Sequence, residues 1–215
     1  MDFLEKRGIY IKNERLLKTA LTHSSYSNEH DCDNYERLEF LGDAVLELVT
    51  SDYLYTFTNN NEGMMTKIRS NYVCEKALAT YAKKMGMDKC IRLGHGQASN
   101  LNDTIIADVF EAVAAAVYLD QGYEIVKKYL DSIIIPHIKN GDDFNTDYKT
   151  KLQEIVQTGR KSVVYEVVNE YGKAHNKTFD VIVKIDDIVY GKGTGKSKKE
   201  AEQHAALDAL NKSVR

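Results

Sequence analysis

Two acidic runs carry the residues most able to do chemistry. NYERLEFLGDAVLELV spaces Glu36, Glu39 and Asp43 three and four residues apart, and TIIADVFEAVAAAVYL sets Asp108 and Glu111 three apart. Read at the 3.6-residue helical period, the first run gathers Leu38, Leu41, Val45, Leu48 and Val49 into one apolar stripe and its acids on the opposite face. The second is apolar or alanine on nearly every side, so its helix is expected to be buried, where an uncompensated carboxylate is costly. Three compensations are open: a divalent cation, for which hard oxygen ligands suit magnesium or manganese; an ion pair, with Arg37 or Arg69 as candidates; or helix faces that meet solvent. Phe40 falls on the acidic side of its helix, off the Leu/Val stripe, and so calls for a contact outside its own core, such as another subunit.

The elements that must position these residues divide at one place. LLKTALTHSSY, YERLEFLGDAVLELVTSDYLYTF, MMTKIRSNYVCEKALATYAKKMG, DTIIADVFEAVAAAVYLDQG and YEIVKKYLDSIIIPHI all read as helices. Past Pro136, the single proline, the polar run KNGDDFNTD reads as a connector. Then the period changes: KTKLQEIVQTG is a short amphipathic helix, SVVYEVVNEYG and KTFDVIVKIDDIVYGKG alternate as strands, and SKKEAEQHAALDAL is again helical. The expected fold is an all-α domain over residues 1–138, a linker over 139–146, and a small α+β domain of order α-β-β-β-α over 147–215.

Charge follows the same division. Residues 1–143 carry 16 Lys+Arg against 22 Asp+Glu, whereas residues 144–215 carry 13 against 10, so the smaller part is the one suited to a polyanion. Cys32, Cys74 and Cys90, three thiols at long spacings, form neither a disulfide framework nor a zinc motif. The acidic start MDFLEKRG and the lack of any long apolar run predict a cytoplasmic protein with no membrane partner.

YERLEFLGDAVLELV is similar to the signature stretch of the ribonuclease III family, and ADVFEAVAAAVYLDQG resembles that family's second acidic block. THSSYSNE and EGMMTKIRSNYV resemble its other blocks in the expected order. The resemblance implies a helical endonuclease that forms a homodimer through the signature helices, with double-stranded RNA lying between two active sites. It implies Glu39, Asp43, Asp108 and Glu111 as the metal carboxylates, Asp43 and Glu111 as catalytic, Mg2+ as the cofactor and Mn2+ as its substitute. Glu36 and Glu62 would lie at the dimer interface, and Phe40 would plug a cavity in the other subunit. The implied reaction is hydrolysis to 5'-phosphate and 3'-hydroxyl ends with two-nucleotide 3' overhangs, in ribosomal and messenger RNA processing. The alternative, a catalytically inactive double-stranded RNA-binding protein of the same fold, is opposed by retention of all four acids. The stretch LGHGQASNLNDT departs from the family: where many members have a glutamate-rich, arginine-containing loop with a double glycine, this chain has Gln97, Ala98, Ser99 and Asn100. His23, beside hydroxyls in THSSY, reads as hydrogen-bonded structure rather than a base.

Residues 147–212 resemble a double-stranded RNA-binding domain, with two departures at Val164 and Lys173. By that resemblance Gln153 and Glu154 face one minor groove, His175 faces the next, and Lys196, Lys198 and Lys199 contact phosphates across the major groove between them. A lysine-bearing helix start also supports this physically, since free amides and the positive dipole end already favour anions. GKGTGKS invites a nucleotide-loop reading, with glycines that let the chain turn. The spacing refuses the nucleotide, because a phosphate-binding loop needs glycine at position 190, where Tyr190 stands. No nucleotide cofactor is expected.

Overall fold

A computed structural model of the 215-residue chain describes residues 2–97, 99–144, 147–159, 161–173 and 176–213. Its first compact unit ends at Phe144 and its second begins at residue 145. In chain order the first unit comprises α1 (Asp2–Glu5), α2 (Glu14–Ala20), α3 (Ser24–His30), α4 (Glu36–Phe57), α5 (Glu62–Tyr72), α6 (Glu75–Met85), a 3-10 turn (Met87–Cys90), α7 (Asp103–Gln121) and α8 (Tyr123–Asn140). The second comprises α9 (Tyr148–Thr158), β1 (Val163–Lys173), β2 (Asn176–Ile185), β3 (Ile188–Gly195) and α10 (Lys198–Ser213).

Local chemistry sets many of the helix ends. Asn13, Asn61 and Asn102 accept the backbone N–H of Leu16, Met64 and Ile105 at 3.1, 2.9 and 3.0 Å, capping α2, α5 and α7. Gly86 and Gly141 close α6 and α8 in the left-handed conformation that favours glycine. Helix α7 is the axis of the first unit: Ile105, Ile106, Ala107, Val109, Phe110 and every residue from Ala112 to Val117 are buried. Helices α2, α4, α6 and α8 pack around it.

One detail differs from the sequence reading. Leu48, assigned to the stripe of α4, is 56% exposed, while Leu46 is fully buried beside Val45 and Val49. The helix is clasped on more than one side, which a single stripe does not describe. Helix α8 runs through Pro136, as the sequence reading has it, and on to Asn140, with Ile133 and Ile134 buried. Beyond it Phe144 joins the core against Tyr72, Tyr81 and His137. The Asn71 amide fixes this tail by donating to the Asp142 carbonyl at 3.0 Å and accepting the Phe144 N–H at 2.9 Å. Residues 139–144 therefore pack with the first unit.

The second unit is an antiparallel sheet of order β1-β2-β3. Leu152 and Val156 of α9, Val181, Val183 and Ile185 of β2, and Ala201, Ala205, Ala206 and Ala209 of α10 form its core. The β2–β3 hairpin turns at Asp186 and Asp187, whose φ values of 48° and 65° are those of a tight two-residue turn. The glycines of GKGTG do not turn the chain. They lie in β3 under α10, where a β-carbon on Gly193 would stand 2.2 Å from the Ala205 amide nitrogen and one on Gly191 2.2 Å from the Ala205 carbonyl oxygen. Their absent side chains let helix and strand meet. No described helix is long and apolar enough to cross a membrane.

Candidate active site and nucleic-acid interface

The four carboxylates singled out in the sequence flank the crossing of α4 and α7. Gly42, buried on α4, meets the backbone of Glu111 on α7 directly. Glu39 and Asp43 lie on either side of Gly42 along one helix, while Glu111 and, one turn earlier, Asp108 come from the other.

Their electrostatics record the crowding. Burial pushes the Glu111 carboxyl up to about 8, reinforced by Asp43, Asp108 and Glu39 in that order. Burial also raises Glu39, with Asp108, Glu36 and Asp43 adding to the shift. Asp108 is raised mainly by burial and secondarily by Glu75, against opposing effects of the Tyr35 hydroxyl and His23. No ion pair relieves the four acids among the described residues. Arg69, a candidate partner by sequence, instead donates to Ser51 Oγ at 2.9 Å.

The donor set is all carboxylate oxygen, partly desolvated and mutually repelling, which is the chemistry a hard divalent cation neutralises. The four acids nevertheless do not converge on a point. Among the described residues no three His, Cys, Asp or Glu side chains stand close enough to hold a metal ion as they are.

Tyr35 was not singled out in the sequence. It is 4% exposed and donates its hydroxyl to Asp108 Oδ2 at 3.1 Å. The available signal was a polar-tipped aromatic at the start of an acid-bearing helix. His23 is structural: its Nδ1 lies 2.8 Å from Ser25 Oγ and accepts the Ser25 N–H at 3.1 Å.

The exposed surface of α4 also carries apolar side chains. Phe40 is 84% exposed, with Tyr55, Phe57 and Leu48 also exposed. A cavity of about 330 Å³ opens between α4 and α5, lined by Ser51, Leu54, Tyr55, Glu62, Met65 and Arg69 among others. Glu36 is exposed at the start of α4, and Glu62 in the first turn of α5 accepts the Thr66 hydroxyl at 3.3 Å.

In the second unit Gln153 and Glu154 are exposed on α9, and Lys196, Lys198 and Lys199 are exposed around the start of α10. Ser197 Oγ accepts the Glu200 N–H at 3.1 Å, and Glu200 reaches back to accept the Lys196 N–H at 2.6 Å. Lys196 Nζ donates to Thr178 Oγ1 at 3.2 Å, and Lys198 Nζ lies 5.8 Å above the Phe179 ring. His175 lies outside the described residues.

A helical unit that brings four carboxylates to one helix crossing, followed by an α-β-β-β-α unit with a lysine-lined helix start, has the parts of a hydrolase acting on nucleic acid. Residues 13–138 match the family described as Ribonuclease-III-like, and residues 148–213 match the double-stranded RNA binding motif. Ribonuclease 3 of Listeria monocytogenes serovar 1/2a is 47% identical, over 99% of this chain and 97% of its own. Ribonuclease 3 of Streptococcus gordonii is 45% identical over 97% and 94%. Among solved structures, the nuclease domain of ribonuclease III from Campylobacter jejuni is 33% identical, with a TM-score of 0.58 over 63% of this chain and 95% of its own. The chain belongs to the ribonuclease III family, and it is an endoribonuclease.

Proposed function

We propose that the protein is a Mg2+-dependent, homodimeric endonuclease that hydrolyses double-stranded RNA to 5'-phosphate and 3'-hydroxyl ends, leaving two-nucleotide 3' overhangs. Mn2+ substitutes for Mg2+, and the role is processing of ribosomal and messenger RNA in the cytoplasm. The observation that carries this reading is the Glu111 carboxyl, pushed up to about 8 by burial and by three other carboxylates at one helix crossing.

Glu39, Asp43, Asp108 and Glu111 would hold the divalent ions. Bound there, such ions lower the pKa of an attacking water and neutralise charge on the phosphoryl and leaving oxygens. The chain supplies two oxygen pairs on rigid helices, and Gly42 sets the distance between those helices. Nothing in this arrangement needs a histidine base.

Supporting dimerisation are the exposed Phe40 and the apolar cavity bordered by Glu62 on the same face. A self-complementary knob and hole satisfy a two-fold interface twice. The Campylobacter relative, too, is described as having a region involved in dimer formation. Gln153, Glu154, His175, Lys196, Lys198 and Lys199 are the proposed RNA contacts, in a domain that reads duplex shape and phosphates rather than sequence.

The test is cleavage of a long perfect RNA duplex with Mg2+ by the wild-type protein and by Glu111→Gln. The variant should bind the duplex and fail to cut it. Unimpaired cleavage by Glu111→Gln would remove the site assignment.

A further inference from the structure

Tyr35 bonds to an acid of each helix. Its backbone carbonyl accepts the Glu39 N–H at 2.9 Å, and its hydroxyl donates to Asp108 Oδ2 at 3.1 Å. The residue is itself pinned. Its own N–H donates to the Thr22 carbonyl at 2.9 Å, its carbonyl also accepts the Leu38 N–H at 2.8 Å, and its ring lies 5.7 Å from that of His23. We infer that Tyr35 is a positioning residue of the cation site, tying the α4 acids to the α7 acids and orienting the Asp108 carboxylate that would hold the ion.

The physical case rests on what each partner would otherwise do. Asp108 and Glu39 repel each other across the crossing, and rotation of Asp108 away would relieve that repulsion. A hydrogen bond from a buried hydroxyl opposes the rotation, because leaving the phenol unpaired has its own desolvation cost. A phenol is protonated, and so a donor, throughout the neutral range. Groups that bond to a ligating carboxylate orient it, and their loss typically costs about 10- to 100-fold in metal affinity or activity.

This inference rests on the proposed divalent-cation site. The test uses the full chain, freed of metal, with Mn2+ binding followed by calorimetry and half-saturating Mg2+ measured in cleavage. Tyr35→Phe keeps the ring and removes only the hydroxyl. It should bind Mn2+ roughly tenfold more weakly and need correspondingly more Mg2+, with metal-free RNA affinity unchanged. Tyr129→Phe is the matched control, since it removes a buried hydroxyl that has no hydrogen-bond partner among the described residues; its Mn2+ affinity should equal that of wild type. Wild-type Mn2+ affinity in Tyr35→Phe, or an equal loss in Tyr129→Phe, overturns the inference while leaving the cation site standing. Wild-type protein that binds no Mn2+ and cleaves without divalent ions overturns the cation site itself.

Discussion

A β-carbon built on Gly42 would stand 1.9 Å from the carbonyl oxygen of Glu111. The β-carbon is fixed rigidly to the backbone of α4 and the oxygen belongs to the backbone of α7, so no flexible side chain can yield, and the two helices would have to separate. Gly42→Ala would gain about 1 kcal/mol in helix propensity but lose it to overpacking, which typically costs about 1–3 kcal/mol. The consequence for function is larger, because Glu39 and Asp43 would move away from Asp108 and Glu111 together. Gly42→Ala should lower the thermal midpoint modestly and reduce cleavage by about a hundredfold, as displacements near 1 Å do at oriented sites. Wild-type cleavage by a folded Gly42→Ala protein would show that the crossing distance does not set the site.

The crowded carboxylates also predict a pH signature. Because the folded Glu111 carboxyl sits at about 8, above its ordinary 4.5, the folded state holds this proton more tightly than the unfolded chain does. The resulting stability is fully present below about pH 4.5 and is lost as pH rises through about 8. Metal-free Glu111→Gln lacks this loss and should be more stable than wild type at pH 8, with the difference shrinking toward pH 5. Denaturant midpoints across that range, with a chelator present, measure it. Bound Mg2+ should erase the wild-type disadvantage, and its apparent affinity should climb with pH up to about 8. A parallel pH dependence in the two proteins would show that Glu111 is not the titrating group.

Phe40 predicts the assembly. A phenylalanine passing from solvent into an apolar cavity contributes about 1.5–3 kcal/mol, and a two-fold interface counts it twice. Phe40→Ala should therefore weaken the dimer by roughly 10²- to 10⁴-fold, read by sedimentation equilibrium. An unchanged dissociation constant would place the interface elsewhere.

How much of this was legible beforehand differs from residue to residue. The helical period found Leu38, Val45 and Val49 because burial on one face is a one-dimensional pattern along one element; spacing likewise grouped Glu36, Glu39, Asp43, Asp108 and Glu111, and the family resemblance then chose four of these five. Leu48 was misplaced for the same reason: α4 carries a core face and an exposed apolar face, and periodicity cannot tell them apart. Gly42 and Tyr35 passed unnoticed because their roles exist only between elements. The GKGTG glycines were misread as turn formers, although the alternation of Gly191, Gly193 and Gly195 fits the four-residue step of Ala201, Ala205 and Ala209. That fit is visible only when strand and helix are laid together.

The lysines at the start of α10 make the last prediction, and it separates a duplex contact from a general anion site. Glu200 already bonds the Lys196 amide, and Ser197 caps the Glu200 amide, so the helix start is partly satisfied within the chain. Anion binding there falls more on the ammonium groups of Lys196, Lys198 and Lys199 than on bare amides. If each neutralises one phosphate, replacing all three by alanine should flatten the dependence of log affinity on log salt by roughly 2–3 units, at about 0.9 per phosphate contact on duplex DNA. Binding of duplex RNA by the metal-free protein, titrated over a range of salt, gives that slope directly. ATP should neither compete nor alter it, since the glycines before these lysines are occupied in packing β3 against α10. An unchanged slope in the triple variant would mean that the phosphates are met by other residues.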